Sequence, residues 1–191
     1  MKKIGVLALQ GGVEEHIAAL LSASEKLRLP VQVVEVRNAE DLEGLDGIIL
    51  PGGESTALSH LMQKAGIFQK VSQVRKIMGT CAGAILLAKS VKGEKQGQKF
   101  LSLMDISIDR NAYGSQLQSF ESNITTVFGT MNGVFIRAPR MSVESKEVQP
   151  MAFHNQDAVA AYQSAGGRHF IATTFHPELT STRFHEFFIK L

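Results

Sequence analysis

The chain has 191 residues, of which 44% are hydrophobic and 20% charged, values typical of one soluble globular domain with enough apolar material for a core. The formal net charge is only +2 and Lys and Arg form no cluster, which argues against nucleic-acid binding. One cysteine rules out an intrachain disulfide, and no apolar run suits a membrane span or a signal peptide. We therefore expect a single domain over residues 1–191, located in the cytoplasm.

The first half of the chain alternates short apolar runs with helical patterns. The predicted strands cover residues 4–9, 31–36, 47–50 and 76–78, and the predicted helices cover 13–27, 55–63, 67–74 and 82–89. The first helix places Ile17, Leu20, Leu21 and Leu27 at helical spacing. Alternation of this kind favours a parallel sheet with crossover helices, the doubly wound arrangement.

Strand-like runs follow one another more closely in the second half. They cover residues 103–108, 119–127, 134–137, 158–162 and 170–175. Such spacing indicates an antiparallel extension of the sheet. Residues 182–191 predict a closing amphipathic helix with Phe184, Phe187, Phe188 and Leu191 on its apolar face.

The lone cysteine, Cys81, lies in the sequence GTCAG, between a predicted strand and a predicted helix. Gly-x-Cys-x-Gly is the cysteine form of a nucleophile elbow, in which small neighbours let a sharp turn hold the nucleophile in a strained backbone conformation. The backbone N–H of Ala82 is then placed to donate to an oxyanion. A buried structural cysteine is the alternative, and the flanking glycines favour the nucleophile.

A base for this thiol is predicted in the sequence FHPE at residues 175–178. His176 follows a predicted strand, at the edge where open α/β sheets bind ligands. Glu178, two residues later, is able to orient the imidazole, which completes the order nucleophile, base and orienting carboxylate. Alone, this sequence fits a surface turn equally well; the cysteine elbow favours the catalytic interpretation.

The sequence PGGES at residues 51–55 follows the third predicted strand. Two adjacent glycines allow backbone N–H groups to approach a substrate closely. A plain turn followed by a helix cap is the alternative, because Glu and Ser suit that position.

In this order PGGES, GTCAG and FHPE resemble the class I, or triad, glutamine amidotransferases. Four further segments, IGVLALQG, RNAYG, GVFIRAP and FHPELT, look like those of the glutaminase subunits of pyridoxal 5′-phosphate synthase. The resemblance extends from about residue 3 to residue 188. It implies an α/β fold of the flavodoxin-like kind, with three α/β/α layers, a mostly parallel central sheet and an antiparallel extension.

The resemblance also implies roles for individual residues. Cys81 is the expected nucleophile, His176 the general base and acid, and Glu178 the orienting carboxylate. The implied glutamine site comprises Gly53, Glu54, Ser55, Arg110, Ile136 and Arg137. The backbone N–H groups of Gly53 and Ala82 would form the oxyanion hole. For the two arginines, an ordinary surface charge is the alternative.

Family members work with a partner, so the resemblance implies that glutamine-derived ammonia passes to a synthase subunit. That subunit is a (β/α)₈ barrel in an oligomeric core, and it is expected to complete the oxyanion hole. Gln10 and Gly11 match family residues near the interface, although a strand-to-helix turn explains them equally well. The resemblance implies no metal and no organic cofactor.

Two other functions remain open at this point. One is a glutaminase serving a different synthase, for anthranilate, formylglycinamidine or guanylate, although those lack this combination of segments. The other is a non-catalytic or regulatory module on the same fold, which should lack a triad residue. The remaining histidines receive no chemical role, and His16 and His60 are expected at helix surfaces.

Overall fold

The computed structural model describes residues 1–110 and 119–191. The strands are β1 (Lys2–Leu7), β2 (Val31–Val36), β3 (Gly47–Leu50), β4 (Lys76–Thr80), β5 (Ala88–Lys92), β6 (Met104–Asp109), β7 (Phe120–Thr126), β8 (Gly129–Phe135), β9 (Arg140–Val143), β10 (Val148–His154), β11 (Asp157–Ala165) and β12 (Arg168–Thr173). The α-helices are α1 (Val13–Leu27), α2 (Ser55–Lys64), α3 (Ile67–Val71), α4 (Ala82–Leu87) and α5 (Arg183–Lys190). The motif residues Asn111, Ala112, Tyr113 and Gly114 lie outside the described residues.

Nine strands form one sheet in the order β2-β1-β3-β4-β12-β11-β10-β7-β8. Each neighbouring pair from β2 to β12 is parallel, and each pair from β12 to β8 is antiparallel. A smaller sheet joins β5, β6 and β9. The predicted α/β class, with a parallel sheet and an antiparallel extension, is therefore confirmed.

Helices cover both faces of the parallel strands and give three layers. The sequence of β3 is apolar throughout because both faces of the strand are buried. Ile48 and Leu50 face one core, and Ile49 faces the other. Helices α2, α3 and α4 pack on the first core, and α1 and α5 pack on the second. This is the expected flavodoxin-like arrangement. No helix in the described ranges is long and apolar enough to cross a bilayer.

The strand order creates a crevice at one edge of the sheet. Strand β1 lies between β2 and β3, so the chain winds in opposite directions from this point, and ligands bind outside the carboxyl ends of such strands. The loops after β1, β3, β4 and β12 all open at this edge. They carry Gln10, Gly53, Cys81 and His176.

Helix α4 is shorter than predicted, and the strands β5, β9 and β10 were not predicted. The chain leaves α4 after Leu87 and enters β5 at once, without a turn residue to mark the change. In β10, Pro150 lies beside two register shifts in the pairing with β11. A proline within a strand argues against a ladder position and occurs mainly at edges and bulges, so the sequence did not indicate this strand.

The buried face of α1 also differs from the prediction. Leu21 is 52% exposed, whereas Ala19 and Ala23 are buried. His16 lies on this same stripe and is fully buried, so its expected surface position is wrong. The buried stripe of α1 therefore contains His16, Ala19, Leu20 and Ala23, and Leu21 lies outside it.

Candidate active site

Cys81 occupies the turn between β4 and α4 in a strained conformation. Its φ of 47° and ψ of −100° lie outside the regions that non-glycine residues ordinarily adopt, at a cost of about 1–3 kcal/mol. Its N–H donates to the carbonyl of Thr173 over 2.8 Å, which joins the turn to the end of β12. A side chain at Gly79 would approach the Gly83 carbonyl carbon to 2.5 Å. The glycines therefore make the elbow possible.

His176 and Glu178 meet directly beside this cysteine. The Nδ1 atom of His176 lies 2.7 Å from Oε1 of Glu178, and the imidazole also interacts electrostatically with the Cys81 side chain. The His176 backbone N–H donates to the Val134 carbonyl over 2.9 Å, which holds the segment against the end of β8. The three residues thus form a chain from sulfur through imidazole to carboxylate.

The electrostatics of this chain favour a protonated imidazole. Burial by itself lowers the pKa of His176, but hydrogen bonds to Cys81 and Glu178, together with their negative charges, raise it to about 10. The side chain of Glu178 is only 1% exposed, so its charge is poorly screened. A buried carboxylate that holds an imidazolium next to a thiol is suited to nucleophilic catalysis.

The loop after β3 packs tightly on the loop after β1. Gly11, with φ of 99°, lies so close to the Gly52 carbonyl that an added Cβ would come within 1.7 Å of its oxygen. With its amide oriented so that the oxygen faces the Glu54 N–H, the Gln10 side chain accepts from that N–H over 2.9 Å and donates to the Glu54 carbonyl over 3.2 Å. Gly53, with φ of 148°, lies between these contacts. Gln10 and Gly11 therefore fix the backbone of the loop beside Cys81.

Arg110 reaches the start of α2 from the end of β6. Its guanidinium lies 3.2 Å from Glu54 and donates to the Gln98 side chain over 2.7 Å, and Gln98 in turn donates to Ser55 over 3.1 Å. Burial raises the pKa of Glu54, but N–H groups in the first turn of α2 and the Arg110 charge together lower it below its ordinary value. The cleft thus places the Glu54 carboxylate beside the Arg110 guanidinium.

An open cleft of about 830 Å³ brings the predicted residues together. Every candidate except Ala82 lines it: Gln10, Gly11, Gly53, Glu54, Ser55, Cys81, Arg110, Ile136, Arg137, His176 and Glu178. The Cys81 thiol faces the Ile136 carbonyl at 3.8 Å, and Arg137 is exposed at the rim. Ala82, the first residue of α4, is buried directly behind the sulfur. Within the described residues, no His, Cys, Asp and Glu cluster could hold a metal.

Two contacts of the site were missed from the sequence. Gln98 anchors Arg110, and it lies in a polar stretch that gave no signal. His16 lies 3.5 Å from Glu178 through its Nε2 atom. The sequence did contain an indication that His16 is buried. It lies four residues before Leu20 and seven before Ala23, the spacing of residues that share one face of a helix, and all three are buried in α1.

The fold and the site together define a class: a flavodoxin-like α/β protein with a cysteine at a nucleophile elbow and a His–Glu pair beside it. The SNO glutamine amidotransferase family matches residues 6–191, and the chain belongs to this family. It is 45% identical to the pyridoxal 5′-phosphate synthase subunit PdxT of Pyrococcus horikoshii, over 98% of both chains. With the subunit of the same name from Oenococcus oeni it shares 47% identity, over 99% of this chain and 96% of the relative.

Solved structures agree with this assignment. A crystal structure of a glutamine amidotransferase superposes with a TM-score of 0.84 at 38% identity, covering 98% of this chain and 97% of the other. A protein from Thermoplasma acidophilum, described as one subunit of a GMP synthase, has a TM-score of 0.60 at 17% identity, covering 100% of this chain and 91% of the other. At that identity the second likeness concerns the fold alone.

Proposed function

We propose that this chain, acting as a single domain, is a glutaminase that hydrolyses L-glutamine to L-glutamate and ammonia and supplies the ammonia to a pyridoxal 5′-phosphate synthase subunit. The observation that carries the proposal is the contact of His176 with Glu178 over 2.7 Å, next to a strained cysteine in an open cleft. Membership of a glutamine amidotransferase family supports the substrate.

The first half of the proposed reaction forms a thioester. The Cys81 sulfur, as a thiolate, attacks the side-chain amide carbon of glutamine, and the carbonyl electrons move onto the oxygen. Backbone N–H groups of Gly53 and Ala82 stabilise this oxyanion. His176, protonated through its contacts with Cys81 and Glu178, donates its proton to the leaving nitrogen, and the C–N bond breaks to release ammonia.

The second half regenerates the enzyme. His176, now neutral, takes a proton from water, and the resulting hydroxide attacks the thioester carbon. The same two N–H groups stabilise the second oxyanion. Collapse expels the Cys81 thiolate and releases glutamate, while Glu178 holds the imidazole in the required orientation throughout. Neither half needs a metal or an organic cofactor.

The rest of the cleft provides groups of the right charge for an amino acid. A guanidinium from Arg110 or Arg137 suits the α-carboxylate of glutamine, because its planar donors match a carboxylate. Glu54 suits the ammonium group. Ser55 and the Ile136 carbonyl complete the proposed glutamine site.

The partner is inferred from the relatives, which are named as subunits of pyridoxal 5′-phosphate synthase. We infer that the ammonia acceptor is a (β/α)₈-barrel subunit in an oligomeric core, and that Gln10 and Gly11 lie near its docking site. Their contacts with the loop at residues 52–54 give docking a direct route to the oxyanion hole. A catalytic thiolate also requires a reducing compartment, which is consistent with the cytoplasm.

Glutamate release from glutamine tests the proposal. We expect the purified chain to be weakly active alone and more active when a pyridoxal phosphate synthase subunit is added. Cys81→Ala should abolish both activities, because no other cysteine exists to form the thioester. Circular dichroism and retained synthase binding would show that the variant is folded.

Each outcome has a distinct meaning. Activity that is the same with and without the synthase would keep the glutaminase and contradict the partner. Turnover that survives in Cys81→Ala would reject the thioester mechanism. A folded wild-type chain without activity in either setting would point to a binding module instead.

A further inference from the structure

A fully buried pair of histidines lies directly behind the proposed triad. His16 of α1 and His185 of α5 are both 0% exposed, and His16 Nδ1 lies 2.9 Å from His185 Nε2. The other ring nitrogen of His16, Nε2, lies 3.1 Å from the Thr80 hydroxyl and 3.5 Å from Glu178 Oε1. Because Thr80 directly precedes Cys81, these contacts reach both ends of the triad.

The surroundings of His185 determine which nitrogen carries the proton. Its Nδ1 atom is buried and has no hydrogen-bond partner anywhere in residues 1–110 and 119–191. An N–H buried there would lose its bond to water without replacement, which is more costly than burying a lone pair. The proton of His185 therefore belongs on Nε2, from which it donates to His16 Nδ1. His16 must then carry its own proton on Nε2.

The position of Glu178 leads independently to the same tautomer. With a bare Nε2, His16 would direct a lone pair at a carboxylate oxygen 3.5 Å away, which is repulsive. With Nε2 protonated, the N–H donates to Thr80 and its positive end lies toward the carboxylate. Two separate costs thus oppose one tautomer, and none of the contacts opposes the other.

We propose that His16 is a positioning residue, whose Nε2–H, fixed by His185, holds the Glu178 carboxylate in line with His176. This rests on the proposed glutaminase mechanism, in which His176 alternates between charged and neutral forms. When His176 is neutral, the buried carboxylate loses its positive partner. Its second oxygen, Oε2, has no hydrogen-bond partner within the described part of the chain. The dipole of His16 then remains as support for the charge.

The neutrality of His16 is part of this function. Burial first, and then the nearby charges of His185 and His176, keep the pKa of His16 well below its ordinary value. Burial lowers the pKa of His185 to about 3. A neutral donor steadies Glu178 without competing with the imidazolium of His176, which a charged lysine or arginine at position 16 would do.

The tautomer can be measured in the unaltered chain. Nitrogen-15 NMR of the full-length protein, with the imidazole nitrogens assigned, should show His16 and His185 neutral at pH 7 and both protonated on Nε2. Protonation of His16 on Nδ1 would overturn the proposal. This measurement does not depend on any variant folding correctly.

Substitution then tests the action on Glu178. His16→Leu should lower the pKa of His176 by about one unit and reduce kcat by about tenfold in the synthase complex, with KM for glutamine within about twofold of wild type. His16→Gln, whose amide N–H can take the place of Nε2–H, should restore most of both values. Leu20→Ala, which opens a cavity in the same helix without touching Glu178, should reduce stability and leave the pKa of His176 unchanged.

The proposal would be overturned if the pKa of His176 rises or stays the same in folded His16→Leu. It would also be overturned if His16→Gln lowers the pKa of His176 and kcat as much as His16→Leu does. If His16→Leu does not fold, the His16→Gln variant and the tautomer decide. The glutaminase mechanism is judged separately by Cys81→Ala. If Cys81→Ala is inactive but the pKa of His176 is unchanged in His16→Leu, the proposed triad is retained. Only the positioning by His16 is then rejected.

Discussion

At the scale of single residues, the site depends on the environment of one imidazole. Burial alone would lower the pKa of His176, but its hydrogen bonds and the charges of Cys81 and Glu178 raise it to about 10. The ordinary value is 6.5, so the folded chain binds this proton more tightly than the unfolded chain does. The proposed triad is therefore linked to stability as well as to the proposed chemistry.

This linkage predicts a pH dependence. Stability from the His176 proton is fully present below pH 6.5 and is lost as the pH rises toward about 10. Glu178→Gln removes one of the interactions that raise the pKa of His176 and so provide this stability. We expect the difference in Tm between wild type and Glu178→Gln to be largest near pH 6 and to shrink steadily toward pH 10, measured by scanning calorimetry.

Glu43→Gln is the matched control, since Glu43 is exposed and precedes β3, whereas the site lies beyond the other end of that strand. It should give a difference that varies little over this range. A Glu178→Gln difference that grows with pH would contradict the role assigned to the carboxylate in holding the imidazolium.

At the scale of elements, the elbow depends on how closely α4 approaches β3. A Cβ at Gly83 would lie 2.1 Å from the carbonyl oxygen of Leu50, and backbone atoms of a central strand have little room to move. This close approach places the start of α4, and with it the Ala82 N–H, beside the sulfur of Cys81. The second glycine of GTCAG is thus required by packing between elements.

Gly83→Ala should therefore damage both stability and activity. Overpacking here is expected to cost about 1–3 kcal/mol of the free energy of unfolding, measured with urea. Glutamine hydrolysis by the folded fraction should fall by at least about tenfold, because the Ala82 N–H, the proposed oxyanion donor, moves.

Gly44→Ala provides the comparison. At that position an added Cβ meets no atom within 4 Å, although φ of 70° makes the change strained. It should lower stability by about 1 kcal/mol and leave hydrolysis by the folded protein unchanged. Equal effects of both variants on hydrolysis would argue against the specific placement of α4.

At the scale of the whole molecule, the reversal of strand order assembles the site. Four loops that are far apart in sequence open at the same edge of the sheet, and the loop after β1 directly supports the loop after β3. A partner that docks on Gln10 would thereby contact the backbone that carries Gly53. The fold thus offers a short path from a surface to the proposed oxyanion hole.

Gln10→Ala tests this path. Loss of both hydrogen bonds to Glu54 should loosen the loop and reduce synthase-stimulated glutaminase activity by about tenfold or more, since small misplacements of catalytic groups are costly. Gln32→Ala, at an exposed position of the edge strand β2, should have no effect. Full stimulation of Gln10→Ala by the synthase would rule out the proposed coupling.

The sequence by itself determined the parallel half of the fold and the composition of the cleft. Helix α1 and strands β2 and β3 have the predicted bounds, because their apolar patterns are strong and their ends are marked by Gly, Pro or charged residues. Short motifs such as the glycines around Cys81 could be interpreted from the sequence, because the tight turn that requires them involves only a few neighbouring residues. Their roles in catalysis remain predictions to be tested.

Only the tertiary structure decided what depends on contacts between distant segments. His16 and His185 are 169 residues apart, and no local pattern indicates that they meet beneath Glu178. Strands β9 and β10 likewise owe their pairing to neighbours in the sheet, which override weak local preference and a proline. Hydrogen-bond partners and burial are properties of the packed chain, so the support of the triad became visible only once the helices were packed against the sheet.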